Sequence, residues 1–183
     1  MKSTQSNQNF LGEDYKLTSN LSALLHKVLN YHDVDGLSQM VLHELGHDDC
    51  FGLKRATYLV DNPDFDHLLG VAGYCKQDCP CHKKDLWQDP YSFKGDMKGA
   101  PYHNQVQNFL NSSLKRKEID LNSAKEVKEL GIQLGIQVPE FFSWNMKHGN
   151  HGLLIFEHGE KPVKDWRKEL LSNVAALLSF CGI

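Results

Sequence analysis

The stretch that decides the fold is Gln137-Val138-Pro139-Glu140-Phe141-Phe142-Ser143-Trp144-Asn145-Met146-Lys147-His148-Gly149-Asn150-His151-Gly152-Leu153-Leu154-Ile155-Phe156-Glu157-His158. Two apolar runs, rich in aromatic and β-branched residues, flank a Gly-Asn turn with a second glycine after it, which reads as a β-hairpin. Pro162 then sits where a helix can begin. Beyond it Val163, Trp166, Leu170, Val174, Leu177, Leu178 and Cys181 recur at helical spacing as one apolar stripe.

Toward the N-terminus, residues 1–17 begin with a Ser, Thr, Gln and Asn-rich run and are expected to form a flexible tail, and residues 18–183 one domain. Thr18-Ser19-Asn20 caps a helix whose apolar positions are Leu21, Leu24, Leu25, Val28 and Leu29. After the Asp33 to Gly36 break comes a second helix, with Leu37, Met40, Val41 and Leu45 inward. Phe51 to Asp61 and Leu68 to Tyr74 read as an antiparallel strand pair joined by Asp61-Asn62-Pro63-Asp64. Residues 75–101 read as a long inserted loop, the place for a functional site. A helix over Tyr102 to Leu114, an edge strand over Lys115 to Leu121 and a helix over Ser123 to Leu134 complete the order. The fold class expected is α+β: a central antiparallel sheet of about five to six strands, terminal helices on one face, ligand-side helices and loops on the other.

The composition is ordinary for a globular domain, with 40% apolar and 23% charged residues. A formal net charge of −3 gives no electrostatic reason to expect nucleic acid as a partner. No apolar run approaches the roughly 20 residues of a bilayer span, and Met1 to Phe10 lacks a signal-peptide core, so no membrane partner and a cytoplasmic location are expected. Five cysteines, three of them between Cys75 and Cys81, do not form the framework of a secreted scaffold.

Two constellations carry chemistry. His43-Glu44-Leu45-Gly46-His47 satisfies H-E-x-x-H, in which His43 and His47, one helical turn apart, bind zinc while Glu44 acts as general base on metal-bound water. The extended metzincin form needs glycine and histidine where this chain has Cys50 and Leu53, and the competing reading is a helix end leading into a strand. Cys75, Cys79, Cys81 and His82 offer three thiols and an imidazole, a Cys3His donor set for zinc, with a reversible disulfide or an inert polar loop as alternatives. Candidate ligand-lining residues are Tyr74, Trp87, Tyr91, Phe93, Tyr102 and Trp144. Cys50 and Cys181 fit core packing.

Leu24 to Leu29, Leu42 to Gly46 and Arg55 to Asp61, then Leu68 to Tyr74, then Leu130-Gly131-Ile132 with Gln137-Val138-Pro139, Gly152 to His158 and the last helix, together resemble a GAF domain, the small sensory module of signalling proteins. The resemblance spans most of Leu21 to Phe180. It implies a non-catalytic regulatory module that binds a small molecule, metal ion or redox signal between the sheet and the helices and loops on the face away from the two terminal helices. It further implies a homodimer through the terminal helices and relay to an output domain or partner protein. The cysteine-rich segment departs from the family, so no family ligand transfers. The alternatives are a small zinc hydrolase on His43, Glu44 and His47, and a ligand-free dimerisation scaffold.

Overall fold

The computed structural model describes residues 3–32, 34–62, 67–78, 86–109, 123–159 and 164–181, with the backbone alone at 3–11, 13, 62 and 67. Its helices are α1 (Ser3–Asn30), α2 (Leu37–Gly46), α3 (Pro90–Met97), α4 (Pro101–Gln107), α5 (Ala124–Gln133) and α6 (Asp165–Ala175). Its strands are β1 (Leu53–Asn62), β2 (His67–Cys75), β3 (Glu140–Asn145) and β4 (His151–His158). A 3-10 turn over Ala176–Phe180 continues α6.

All three strand pairings are antiparallel, and the sheet order is β2-β1-β4-β3. This corrects the expected sheet of five to six strands: among the described residues the sheet is open and has four. The expected edge strand Lys115 to Leu121 lies outside the described residues. Part of the stretch expected to be irregular is helical. Pro90 and Pro101 occupy the first turns of α3 and α4, where a missing N–H costs nothing, and the Asp89 carboxylate accepts from Ser92 N at 3.0 Å.

The closing hairpin forms in the register Glu140↔Phe156 to Asn145↔His151. At its tip His148 and Gly149 both take positive φ, 60° and 74°. The Trp144 indole lies where a Cβ on Gly152 would stand, so glycine is required for the ring to cross β4.

Helices cover both faces of the sheet. On one, Ala56, Tyr58, Val60, Ala72, Tyr74, Leu154 and Phe156 pack with α1, α2, α6 and the closing 3-10 turn. On the other, Leu59, Leu68, Leu153 and Ile155 pack with α4 and α5. Residues 86–100, expected on the face away from the terminal helices, instead share the face of α1 and α6, because Trp87, Phe93, Met97 and Ala100 join their apolar cluster. The approach of α4 is so close that a Cβ on Gly70 would collide with the Val106 carbonyl.

Two helix faces differ from the sequence reading. The Thr18 hydroxyl donates to the Asp14 carbonyl at 2.9 Å, a bond of the helix interior, and α1 begins well ahead of the expected Thr18 cap. Its buried stripe is Leu17, Leu21, Leu24 and Val28; Leu25 and Leu29, rotated by about 80° and 120° from Leu17, are 44% and 58% exposed. On α6 and its 3-10 continuation Leu171, Ala175, Leu178 and Cys181 are buried, and Trp166 is exposed. No described helix is long and apolar enough to cross a membrane.

The orientation of α1 is testable by urea unfolding. At protein concentrations low enough to keep the chain monomeric, Leu24→Ala is expected to cost about 2–5 kcal/mol and Leu29→Ala within about 0.5 kcal/mol. Equal losses at the two positions would mean that α1 presents a different face to the core.

Candidate functional site

Helix α2 is interior on almost every side, because residues 37–43, 45 and 46 are all buried. Most are apolar, but Ser38, Gln39 and His43 are not. The His43 ring sits edge-on to Tyr74 and Phe93, with centroids 4.9 Å and 5.1 Å away. Glu44 accepts from Lys27 Nζ of α1 at 3.2 Å and from the Trp87 indole N–H at 3.4 Å. The helix ends at Gly46, over which the Tyr74 ring occupies the space of a Cβ, and the Tyr74 hydroxyl donates to the Gly46 carbonyl at 3.1 Å. His47 is already extended, and its Nδ1 accepts from Asp49 N at 3.2 Å.

This geometry does not place His43 and His47 on one continuous helix with Glu44 between them. The second histidine has left the helix, the first is packed among rings, and the glutamate is engaged by a lysine and an indole. Among the described residues no three His, Cys, Asp or Glu side chains gather as a metal-binding group. Cys75 is buried at the end of β2, while Cys79, Cys81 and His82 lie outside the described residues. Cys50 and Cys181 are buried free thiols, and burial pushes each up to about 12, so both are protonated at neutral pH.

The six candidate ligand-lining residues divide. Tyr74, Trp87 and Phe93 meet around α2. Trp87 also packs on Tyr31, with centroids 5.7 Å apart, and carries the Lys27 ammonium 5.3 Å over its ring. Trp144 stacks on Tyr58 at 5.9 Å and donates to Ser179 Oγ at 2.6 Å, holding the closing turn of the chain. Tyr91 is 84% exposed, and Tyr102 lies on the opposite face of the sheet.

Sequence reading missed Gln39. Its side chain is buried, and among the described residues Nε2 has no hydrogen-bond partner. It stands one turn before His43 on the same helix, and a polar amide inside Leu37 to Leu42 was the signal available. An orphaned buried donor is costly, by about 1–3 kcal/mol, and marks where an acceptor is wanted.

On the other face the described polar side chains are paired. The Thr57 and Tyr102 hydroxyls share a hydrogen bond of 2.8 Å, and Arg55 lies 5.4 Å over the Tyr102 ring while donating to the Gly135 carbonyl. Burial pushes the Tyr102 hydroxyl up to about 12, against the opposing pull of the Thr57 hydrogen bond and the Arg55 charge. Glu157 accepts from Lys54 Nζ at 2.8 Å and Gln137 N at 3.1 Å. The His103 Nδ1 accepts from Gly73 N at 3.3 Å, and burial holds this imidazole below its ordinary value. These bonds clamp α4 and the turn after α5 onto β1, β2 and β4. On the α2 side, His43 and Glu44 meet Phe93 and Trp87 of residues 86–100, and the Gln39 amide has no partner among the described residues.

No protein-family model, curated protein or solved structure matches this chain.

The clamp predicts a non-additive mutant cycle. Thr57→Val and Tyr102→Phe should each cost about 1–3 kcal/mol by orphaning the partner hydroxyl. The double variant should lose less than the sum. Strict additivity in denaturant unfolding would mean that the two hydroxyls do not interact.

Proposed function

We propose that this chain is a non-catalytic sensory or regulatory module of GAF type. It takes up a small molecule beneath residues 86–100, against α2, and relays occupancy through α1 and α6 to a partner protein or output domain. The observation that carries this reading is the continuity of one core. Trp87, Phe93, Met97 and Ala100 belong to the same buried cluster as Leu17 and Leu24 of α1, Leu171 of α6 and Leu178 of the closing turn. Anything that displaces the 86–100 segment therefore disturbs the packing of both terminal helices.

The ligand class follows from the lining. Tyr74, Phe93 and Trp87 favour a flat, largely apolar molecule, and the unpartnered Gln39 amide asks for one acceptor such as a carbonyl or ring nitrogen. A metal or redox event at the cysteines that follow β2 is a second input to the same segment. A second copy of the chain is the partner proposed for α1, whose Leu25 and Leu29 form an exposed apolar pair one turn apart.

Native mass spectrometry of the intact chain is the test. The expected spectrum is a dimer carrying a small non-covalent adduct. Gln39→Leu should weaken retention of that adduct by about tenfold or more, the effect of losing one buried hydrogen bond. Bare protein with no adduct after gentle purification would leave the ligand-free dimerisation scaffold in its place.

A further inference from the structure

Among the described residues, one carboxylate ties the start of α6 to the sheet. Glu140, at the beginning of β3, accepts from Lys168 Nζ at 2.8 Å through Oε2, while its Oε1 lies 3.7 Å from Nε2 of His158 at the end of β4. The His158 ring stands edge-on to Phe156, with centroids 5.0 Å apart. Both of its nitrogens are buried, and among the described residues neither has a hydrogen-bond partner. A neutral imidazole endures this at a cost. An imidazolium carries two donors and a full charge, and among the described residues one carboxylate is within reach.

The charges around it come from three elements. Glu140 faces it from β3, and Lys168 from α6, with Asp165 acting on that lysine. Arg167, next along α6, turns to Asp14 of α1 at 3.3 Å. Across β1 the pairing residue is Leu53, while Lys54 and Glu157 bind one another. A protonated His158 thus meets one anion already committed to a lysine.

We infer that His158 is an acid-sensitive latch on the last helix: its protonation sets the ring against Lys168 for Glu140 and frees the first turns of α6 from β3. Burial is the main reason the imidazole is held below its ordinary value of 6.5; Glu140 opposes this and Lys168 adds to it. The unfolded or undocked chain therefore takes the proton first. Docking of α6 is at full strength above about pH 6.5 and weakens as the pH falls below it. The inference stands whether or not residues 86–100 cover a ligand.

The test is amide hydrogen exchange on the whole chain at about pH 7.5 and about pH 5.5, corrected for intrinsic exchange rates. Protection over Asp165–Ala175 should fall several-fold more than protection over Ala124–Gln133. The comparison with α5 removes the contribution of His103, which sits on the other face and weakens the whole fold in acid. His158→Phe should abolish the α6-specific response, with His158→Gln as the second variant if the first does not fold. In Lys168→Met the His158 titration followed by NMR should move up, because the competitor for Glu140 is gone. An α6 response that persists in both His158 variants, or wild-type α6 protection that does not change with pH, would overturn the latch.

Discussion

Everything in this fold depends on burying α2. A helix of ten residues that is interior on nearly all sides has to be enclosed, and no single element can do that. The sheet supplies Tyr58, Ala72 and Tyr74, α1 supplies Leu17, Leu21, Leu24 and Val28, and residues 86–100 bring Trp87, Phe93 and Met97. Each large apolar side chain removed from water contributes about 1.5–3 kcal/mol, so the enclosure accounts for much of the driving force for assembly. Full burial also forces polar groups into the interior. Glu44 resolves its charge through Lys27 and Trp87, whereas the Gln39 amide keeps a donor unmet among the described residues.

The two faces of the sheet do different work. Against α4 and α5 the polar groups are paired and glycines let the backbones touch, which makes that layer a fixed platform. Against α1, α2 and α6 the packing passes through ring edges, an orphaned amide and one contested carboxylate. Such contacts have alternatives: a ring turns, an amide finds an acceptor, a carboxylate changes partner.

Much of this was legible in the residues. The closing hairpin was readable because apolar runs bounded by Gly149-Asn150 have few other structures open to them. The strand pair β1 and β2 was readable for the same reason. Helix α3 was hidden because Asp, Lys, Gly and Pro dominate its neighbourhood, although Asp89-Pro90 is a helix-start signal taken alone. The face of α1 was misread because the apolar run continues past the buried stripe into Leu25 and Leu29, and only packing decides which leucines turn inward. The H-E-x-x-H spacing assumed a helix that continues through His47. The competing reading, a helix end leading into a strand, is the one the chain adopts at Gly46, and the Tyr74 ring over that glycine is the tertiary contact that accompanies it. Gln39 escaped notice because a lone amide on a helix usually faces water.

The central claim is that residues 86–100, α2 and the terminal helices form one mechanically continuous core, separate from the α4 and α5 platform. The most direct measurement is the map of backbone amide chemical-shift changes on Phe93→Leu, a substitution mild enough to leave the fold intact. The account predicts shifts that run from α3 through α2 into α1 and the closing 3-10 turn, with α5 unaffected. Shifts confined to residues 86–100, or spread equally into α5, would contradict it.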